Sequence, residues 1–134
     1  MTIVLKRSMV DEIAEHSLQE YPREACGIMA GERRGKTRIV KRVFKTRNRL
    51  TSPSRYEIDP EDQLKAFQEA EKMGLEVVGF YHSHPYWESS PSFIDRSLAF
   101  YKGYSYAIYS VVTRSLASYI WDGSTFVEEP VKII

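Results

Sequence analysis

The chain has 134 residues, 43% hydrophobic and 28% charged, with a formal net charge of +1. That length suits one domain, residues 1–134, around one core, and the near-zero charge excludes steering of the whole molecule to polyanions. The longest apolar stretches, residues 77–81 and 107–112, fall far short of the roughly 20 residues of a membrane-spanning helix, so no membrane partner is expected.

Residues 1–5 run straight into Lys6, Arg7 and a mixed helix, which is not the pattern of a signal peptide. Cys26 is the one cysteine, so an intramolecular disulfide is excluded and a reducing, cytoplasmic setting is expected. Residues 2–5 suit a short strand. Residues 8–20 read as a helix, because Val10, Ile13, Ala14, Ser17 and Leu18 fall on one face at helical spacing. Ser8 stands at the N-cap, His16 is expected at the surface, and Tyr21-Pro22 ends the element.

Residues 24–30 (EACGIMA) read as a strand, turned round by Gly31-Glu32-Arg33-Arg34-Gly35, and the β-branched residues 37–46 return. From 33 to 49 there are nine Lys/Arg and no acid. This run is either a solvated hairpin or a docking surface for an acidic partner or nucleic acid. A polar loop covers 47–54, and 55–58 suits another short strand.

Asp59-Pro60-Glu61-Asp62 is a helix start: Asp59 caps, Pro60 fits the first turn, and the acids suit the positive end of the dipole. The helix runs to Met73, burying Leu64, Phe67 and Ala70, and Gly74 stops it. Residues 76–82 form a buried strand. A loop with two prolines follows, then a helix over 92–102. Strands are expected over 104–113, 116–121 and 125–128, the last two joined at Asp122-Gly123, a hairpin signal. The order is that of an α/β or α+β domain.

The chemistry concentrates in residues 79–95, GFYHSHPYWESSPSFID. His82 and His84 are two apart at the end of an apolar strand, so both imidazoles point to one side, an arrangement that suits a tetrahedral metal. Ser83 points the other way, and Pro85 ends the ladder. Ser92 and Asp95 lie three apart at a helix start. Taken alone, the S-x-x-D spacing reads as a capping arrangement; the alternative is that Asp95 supplies a third, oxygen ligand. Two His and a carboxylate leave one position for water, the pattern of a catalytic zinc site. Cys26 reads as a small buried hydrophobe.

Together these residues resemble the JAMM metalloprotease family, also called MPN-plus. Its pattern is an upstream Glu, H-[ST]-H-P, seven residues to a Ser, two more, then Asp. Here residues 85–91 are the seven between His84 and Ser92, and Asp95 follows after two more. Glu24 sits in residues 22–31 (PREACGIMAG), similar to the family's segment around its catalytic Glu. Ser52-Pro53, residues 56–60 (YEIDP) and Gly79-Phe80-Tyr81 match its framework, so the resemblance runs from about Leu5 to Trp121.

The resemblance implies a cytidine-deaminase-like JAMM/MPN fold, a mixed β-sheet flanked by helices. It implies one catalytic Zn2+ bound by His82, His84 and Asp95. Glu24 would carry protons, and Ser92 would donate a hydrogen bond to the developing oxyanion. The reaction implied is hydrolysis of the amide or isopeptide bond after the C-terminal Gly-Gly of a ubiquitin-like protein. A short chain looks like the prokaryotic branch, whose partners are small ubiquitin-fold modifiers or sulfur carriers. Tyr86 and Trp87 are bulkier than the small residues expected there and are candidate substrate contacts. Arg38, Lys41 and Arg42 are candidates for docking an acidic modifier surface. Two other readings stand beside this one. MPN domains without metal ligands serve as scaffolds, but the five residues are intact here. RadC-type domains share H-x-H-P and a later S-x-x-D, but theirs normally has Asn where this chain has Ser83, so nucleic acid is not expected. A homodimer through an exposed edge strand stays open.

Overall fold

A computed structural model describes residues 1–134. In chain order the elements are β1 (Thr2–Leu5), α1 (Arg7–Glu20), β2 (Cys26–Arg34), β3 (Thr37–Thr46), α2 (Pro60–Lys72) and β4 (Glu76–His84). Then come α3 (Phe93–Leu98), β5 (Ser105–Ser110), β6 (Ser115–Trp121), β7 (Phe126–Glu129) and β8 (Val131–Ile133). All eight strands join one sheet in the order β7-β6-β5-β4-β2-β3-β1-β8. The sheet is mixed: β4/β5, β1/β3 and β1/β8 are parallel and the other pairings antiparallel. This is the expected mixed sheet flanked by helices. No helix is long and apolar enough to cross a membrane.

The edge strands β7 and β8 are consecutive in the chain and separated by Pro130 alone. The sheet must therefore be strongly curled for its two edges to meet. The Ile3 N–H donates to Pro130 O at 3.0 Å, which ties the start of β8 to β1.

Each face of the sheet carries its own apolar cluster. On one face α1 places Met9, Val10 and Ile13 against Ile3, Met29, Val78 and Tyr81. Complete burial of a side chain such as Ile13 stabilises by about 1.5–3 kcal/mol. On the other face α2 places Ala66 and Ala70 against Ile28, Val77, Phe80 and Tyr106. Gly27 lies under the Tyr81 ring, where a Cβ would collide with it. That ring reaches α1, and its hydroxyl sits 2.7 Å from Nδ1 of His16.

Several local expectations are corrected. The α1 N-cap is Lys6, with no side-chain cap bond, so Ser8 lies inside the helix. His16 is buried against Tyr81 and Leu18 is exposed, because the helix turns its Met9/Val10/Ile13 stripe to the sheet. Leu64 is exposed and α2 buries its alanines, since the close approach to the sheet leaves room for small side chains. Residues 55–58 form only an isolated bridge, Asn48 to Ile58. The helix expected over 92–102 stops at Leu98, and β8 was not expected. The α2 start is as read: the Asp59 carboxylate accepts from the Glu61 and Asp62 N–H groups, and Gly74 follows with φ of 71°.

Candidate metal centre

The central strand β4 is buried on both faces. Its alternation sends Phe80, His82 and His84 to the α2 face and Tyr81 and Ser83 to the α1 face. Pairing ends at His84, and Pro85 follows. Asp95 arrives from the first turn of α3, within a complete capping box: Ser92 Oγ accepts from the Asp95 N–H, and Asp95 Oδ2 accepts from the Ser92 N–H. The capping reading and the ligand reading are thus both satisfied by the same carboxylate.

The ligand atoms converge. His82 Nε2 lies 3.3 Å from His84 Nε2. His82 Nε2 lies 3.1 Å from Asp95 Oδ1, and His84 Nε2 lies 2.9 Å from Asp95 Oδ2. All three side chains are buried. Ligands of one tetrahedral ion with bonds of about 2.0–2.1 Å sit about 3.3 Å apart, so the spacing fits a single small cation.

The chemistry of the donors points the same way. His84 Nδ1 is 2.7 Å from the Glu88 carbonyl. A carbonyl only accepts, so Nδ1 carries the proton and Nε2 turns a lone pair on the Asp95 carboxylate. Lone pairs in such contact need a cation or a shared proton between them. Burial by itself raises the Asp95 pKa. With no cation in the site, the coulombic attraction of His82, with protons shared from His82 and His84 and the Ser92 backbone N–H, overturns that and holds the carboxyl well below its usual range.

Glu24 precedes β2. Since Cys26 pairs with His82 in the antiparallel ladder, continuing the register sets Glu24 opposite His84. Its side chain is 1% exposed, and neither carboxyl oxygen has a hydrogen-bond partner. Burial, then the Asp95 charge, pushes its pKa up to about 9. With no cation in the site, the result is a carboxyl that holds a proton near neutral pH. Its main chain is fully engaged: the N–H donates to Ser52 O at 2.9 Å, and the carbonyl accepts from Asn48 Nδ2 at 3.0 Å.

Ser92 Oγ accepts from the Asp95 N–H at 3.0 Å, which leaves its own proton free to donate elsewhere. Ser83 faces away from the histidines, as its position in the strand implies, and its Oγ accepts from the Ala25 N–H at 2.8 Å. Cys26 is buried, and burial pushes its thiol up to about 12, so it is no nucleophile here.

The candidate contact residues divide. The Trp87 ring centroid is 5.6 Å from that of His84, and Tyr86 packs edge-on against Tyr21. Their loop is anchored by three successive carbonyls: Trp87 O accepts from Ser110 Oγ, Glu88 O meets His84 Nδ1, and Ser89 O accepts from the Tyr119 hydroxyl. Trp87 is therefore part of a fixed wall.

Arg38 does not face a partner. It is 3% exposed, lies 3.9 Å from the buried Glu129, and hydrogen-bonds to the Gly103 carbonyl. Glu129, at the end of β7, and the Gly103 carbonyl enclose it. Lys41 and Arg42 are exposed but sit on opposite faces by strand alternation, Arg42 against Phe44 and Met73. Arg38 also stands opposite Arg33, seven residues or roughly 23 Å of strand from Cys26 and the site. The three cannot form one docking patch.

Two site residues went unread in the sequence as chemistry. Tyr56 stacks on His82 with ring centroids 4.5 Å apart. It also lines a cleft of about 610 Å3 formed with Ile58, Phe67, Phe80, Tyr101 and Tyr106. The segment YEIDP was its only signal. Asn48 lay in a polar loop with none.

Comparison with known proteins agrees with this geometry. The profile described as "Prokaryotic homologs of the JAB domain" matches residues 6–121. A desampylase of Haloferax volcanii is 34% identical over 94% of this chain and 89% of its own length. A CysO-cysteine peptidase of Mycobacterium bovis is 33% identical over 98% of this chain and 91% of its own. A solution structure of a protein from Desulfitobacterium hafniense superposes with a TM-score of 0.91 at 32% identity, covering 100% of this chain and 93% of that one. With the H-S-H-P strand, the S-x-x-D helix start and the profile match over residues 6–121, this chain belongs to the prokaryotic homologues of the JAB domain, within the JAMM family.

Proposed function

We propose that residues 1–134 act as one catalytic domain in the cytoplasm. The reaction is hydrolysis of the amide or isopeptide bond after the C-terminal Gly-Gly of a ubiquitin-like modifier or sulfur-carrier protein. The observation that carries it is the convergence of His82, His84 and Asp95 at 2.9–3.3 Å, with the partnerless buried carboxyl of Glu24 set opposite His84. The similar proteins named desampylase and CysO-cysteine peptidase support a substrate of this kind.

His82, His84 and Asp95 hold one Zn2+. When bound, zinc supplies Lewis acidity, which lowers the pKa of water toward about 7 and polarises a carbonyl. Glu24 takes the proton of the attacking water at its carboxylate and returns it to the leaving amine. Ser92 Oγ, its lone pair already engaged by Asp95 N–H, donates its proton to the carbonyl oxygen as charge develops; such a donor is worth about 3 kcal/mol. The Nδ1–H of His84 on the Glu88 carbonyl keeps that ring oriented. The apolar cleft beside Tyr56 takes apolar side chains of the modifier. The Gly-Gly tail, having no side chains, reaches the ligand atoms past Tyr56. Tyr86 and Trp87 form an aromatic wall on the His84 side.

The test is cleavage of a panel of ubiquitin-fold proteins ending in Gly-Gly, extended by a peptide or joined to a lysine, read by mass spectrometry. Wild type, Glu24→Ala and chelator-treated protein run together. Cutting after Gly-Gly by untreated wild type alone is expected. A wild type that binds no zinc and cuts nothing would sink the proposal.

A further inference from the structure

We infer that Asn48 is the positioning residue of Glu24, resting on the reading of Glu24 as the proton carrier. The Glu24 carboxyl makes no hydrogen bond, so nothing at its own end fixes where it stands. Its place is set through its main chain. On the β4 side, Ser83 grips Ala25 twice: the Ala25 N–H donates to Ser83 Oγ at 2.8 Å, and the Ser83 N–H donates to Ala25 O at 3.0 Å. On the other side the grip belongs to Asn48 and the loop it folds.

Asn48 uses every hydrogen-bonding position of its amide. Nδ2 donates to Glu24 O at 3.0 Å and to Arg55 O at 3.1 Å. Oδ1 accepts from the Leu50 N–H at 2.9 Å and the Glu57 N–H at 3.0 Å. The acceptor half thus closes the loop over 50–57, and the donor half ties that loop to Glu24. The same loop supplies Ser52 O to the Glu24 N–H and Tyr56 to the face of His82. One side chain therefore links the proton carrier, the ring against a metal ligand and the wall of the cleft. A misplacement near 1 Å at a reacting group costs about a hundredfold in rate, so this tie acts on kcat.

The two halves of the amide separate by substitution. Asn48→Asp keeps the acceptors for Leu50 and Glu57 and replaces the donors by an oxygen facing two carbonyls. Asn48→Ala removes both halves. Thr51→Ala changes an exposed side chain of the same loop. Zinc-loaded proteins are compared for Gly-Gly cleavage, zinc content and amide exchange by NMR. Asn48→Asp is expected to lower kcat about 10–100-fold with KM within about twofold and zinc unchanged. Its Glu24 amide should exchange at least tenfold faster while Leu50 and Glu57 stay protected; Asn48→Ala should lose protection at all three. Thr51→Ala should match wild type. Wild-type kcat in Asn48→Asp, or an unchanged Glu24 amide in both Asn48 variants, would overturn the inference. If wild type cleaves nothing, the proposed reaction fails, and the exchange pattern alone decides the role of Asn48.

Discussion

Replacing Glu24 by Gln in chelator-treated protein should reverse the usual cost of altering a buried residue, and by an amount that grows with pH. The Glu24 pKa is raised from 4.5 to about 9, first by burial and then by Asp95. A folded state that binds this proton more tightly than the unfolded chain is most favoured below pH 4.5. It loses stability as pH rises from 4.5 toward 9. The slope is about 1.4 kcal/mol per pH unit. Between pH 5.5 and 8 wild type should therefore lose about 3 kcal/mol relative to Glu24→Gln, in which the amide does not titrate. Other groups, including the oppositely shifted Asp95, are common to both proteins and cancel in the difference. Urea unfolding of the metal-free pair at the two pH values measures it. With zinc loaded, a cation beside Glu24 favours its ionised form, and the pH-dependent gap should shrink. Parallel stability curves for the two metal-free proteins would refute the reasoning.

Asp95→Asn should keep a helix cap but weaken the cation site, and metal analysis should find the one zinc expected per wild-type chain lost; full zinc in the variant would exclude Asp95 as a ligand. Ser92→Ala should retain zinc, lower kcat about 10²–10³-fold and cost about 1 kcal/mol of stability through the lost cap; an unchanged kcat would leave Ser92 as a cap alone. Arg38→Ala should cost about 3–5 kcal/mol in urea unfolding by stranding the buried Glu129, with KM unchanged in the variant that folds. A raised KM at wild-type stability would restore Arg38 to a docking role.

The parts of this protein legible in one dimension are those set by short-range geometry. Strand alternation is enough to aim His82 and His84 together and Ser83 away. Three-residue spacing at a helix start is enough to set Asp95 beside Ser92, and Asp59-Pro60 specifies the α2 cap. The role of Glu24 came from the resemblance of its segment, because nothing local distinguishes a buried carboxyl from a surface one.

What only the tertiary structure decided depends on contacts between distant residues. His16 is buried because Tyr81, 65 positions later, crosses Gly27 to reach it. Arg38 is enclosed because Glu129, at the end of β7, and the Gly103 carbonyl meet it, an arrangement of the whole sheet that no window of sequence contains. Tyr56 reaches His82, and Asn48 reaches Glu24, across a loop whose course is set by hydrogen bonds that polar composition does not specify. Periodicity fixes which way a side chain points along its own element. Only packing fixes what it meets there, and for Glu24 that difference is the change from an ordinary carboxylate to a buried one whose pKa, in the metal-free protein, is pushed up to about 9.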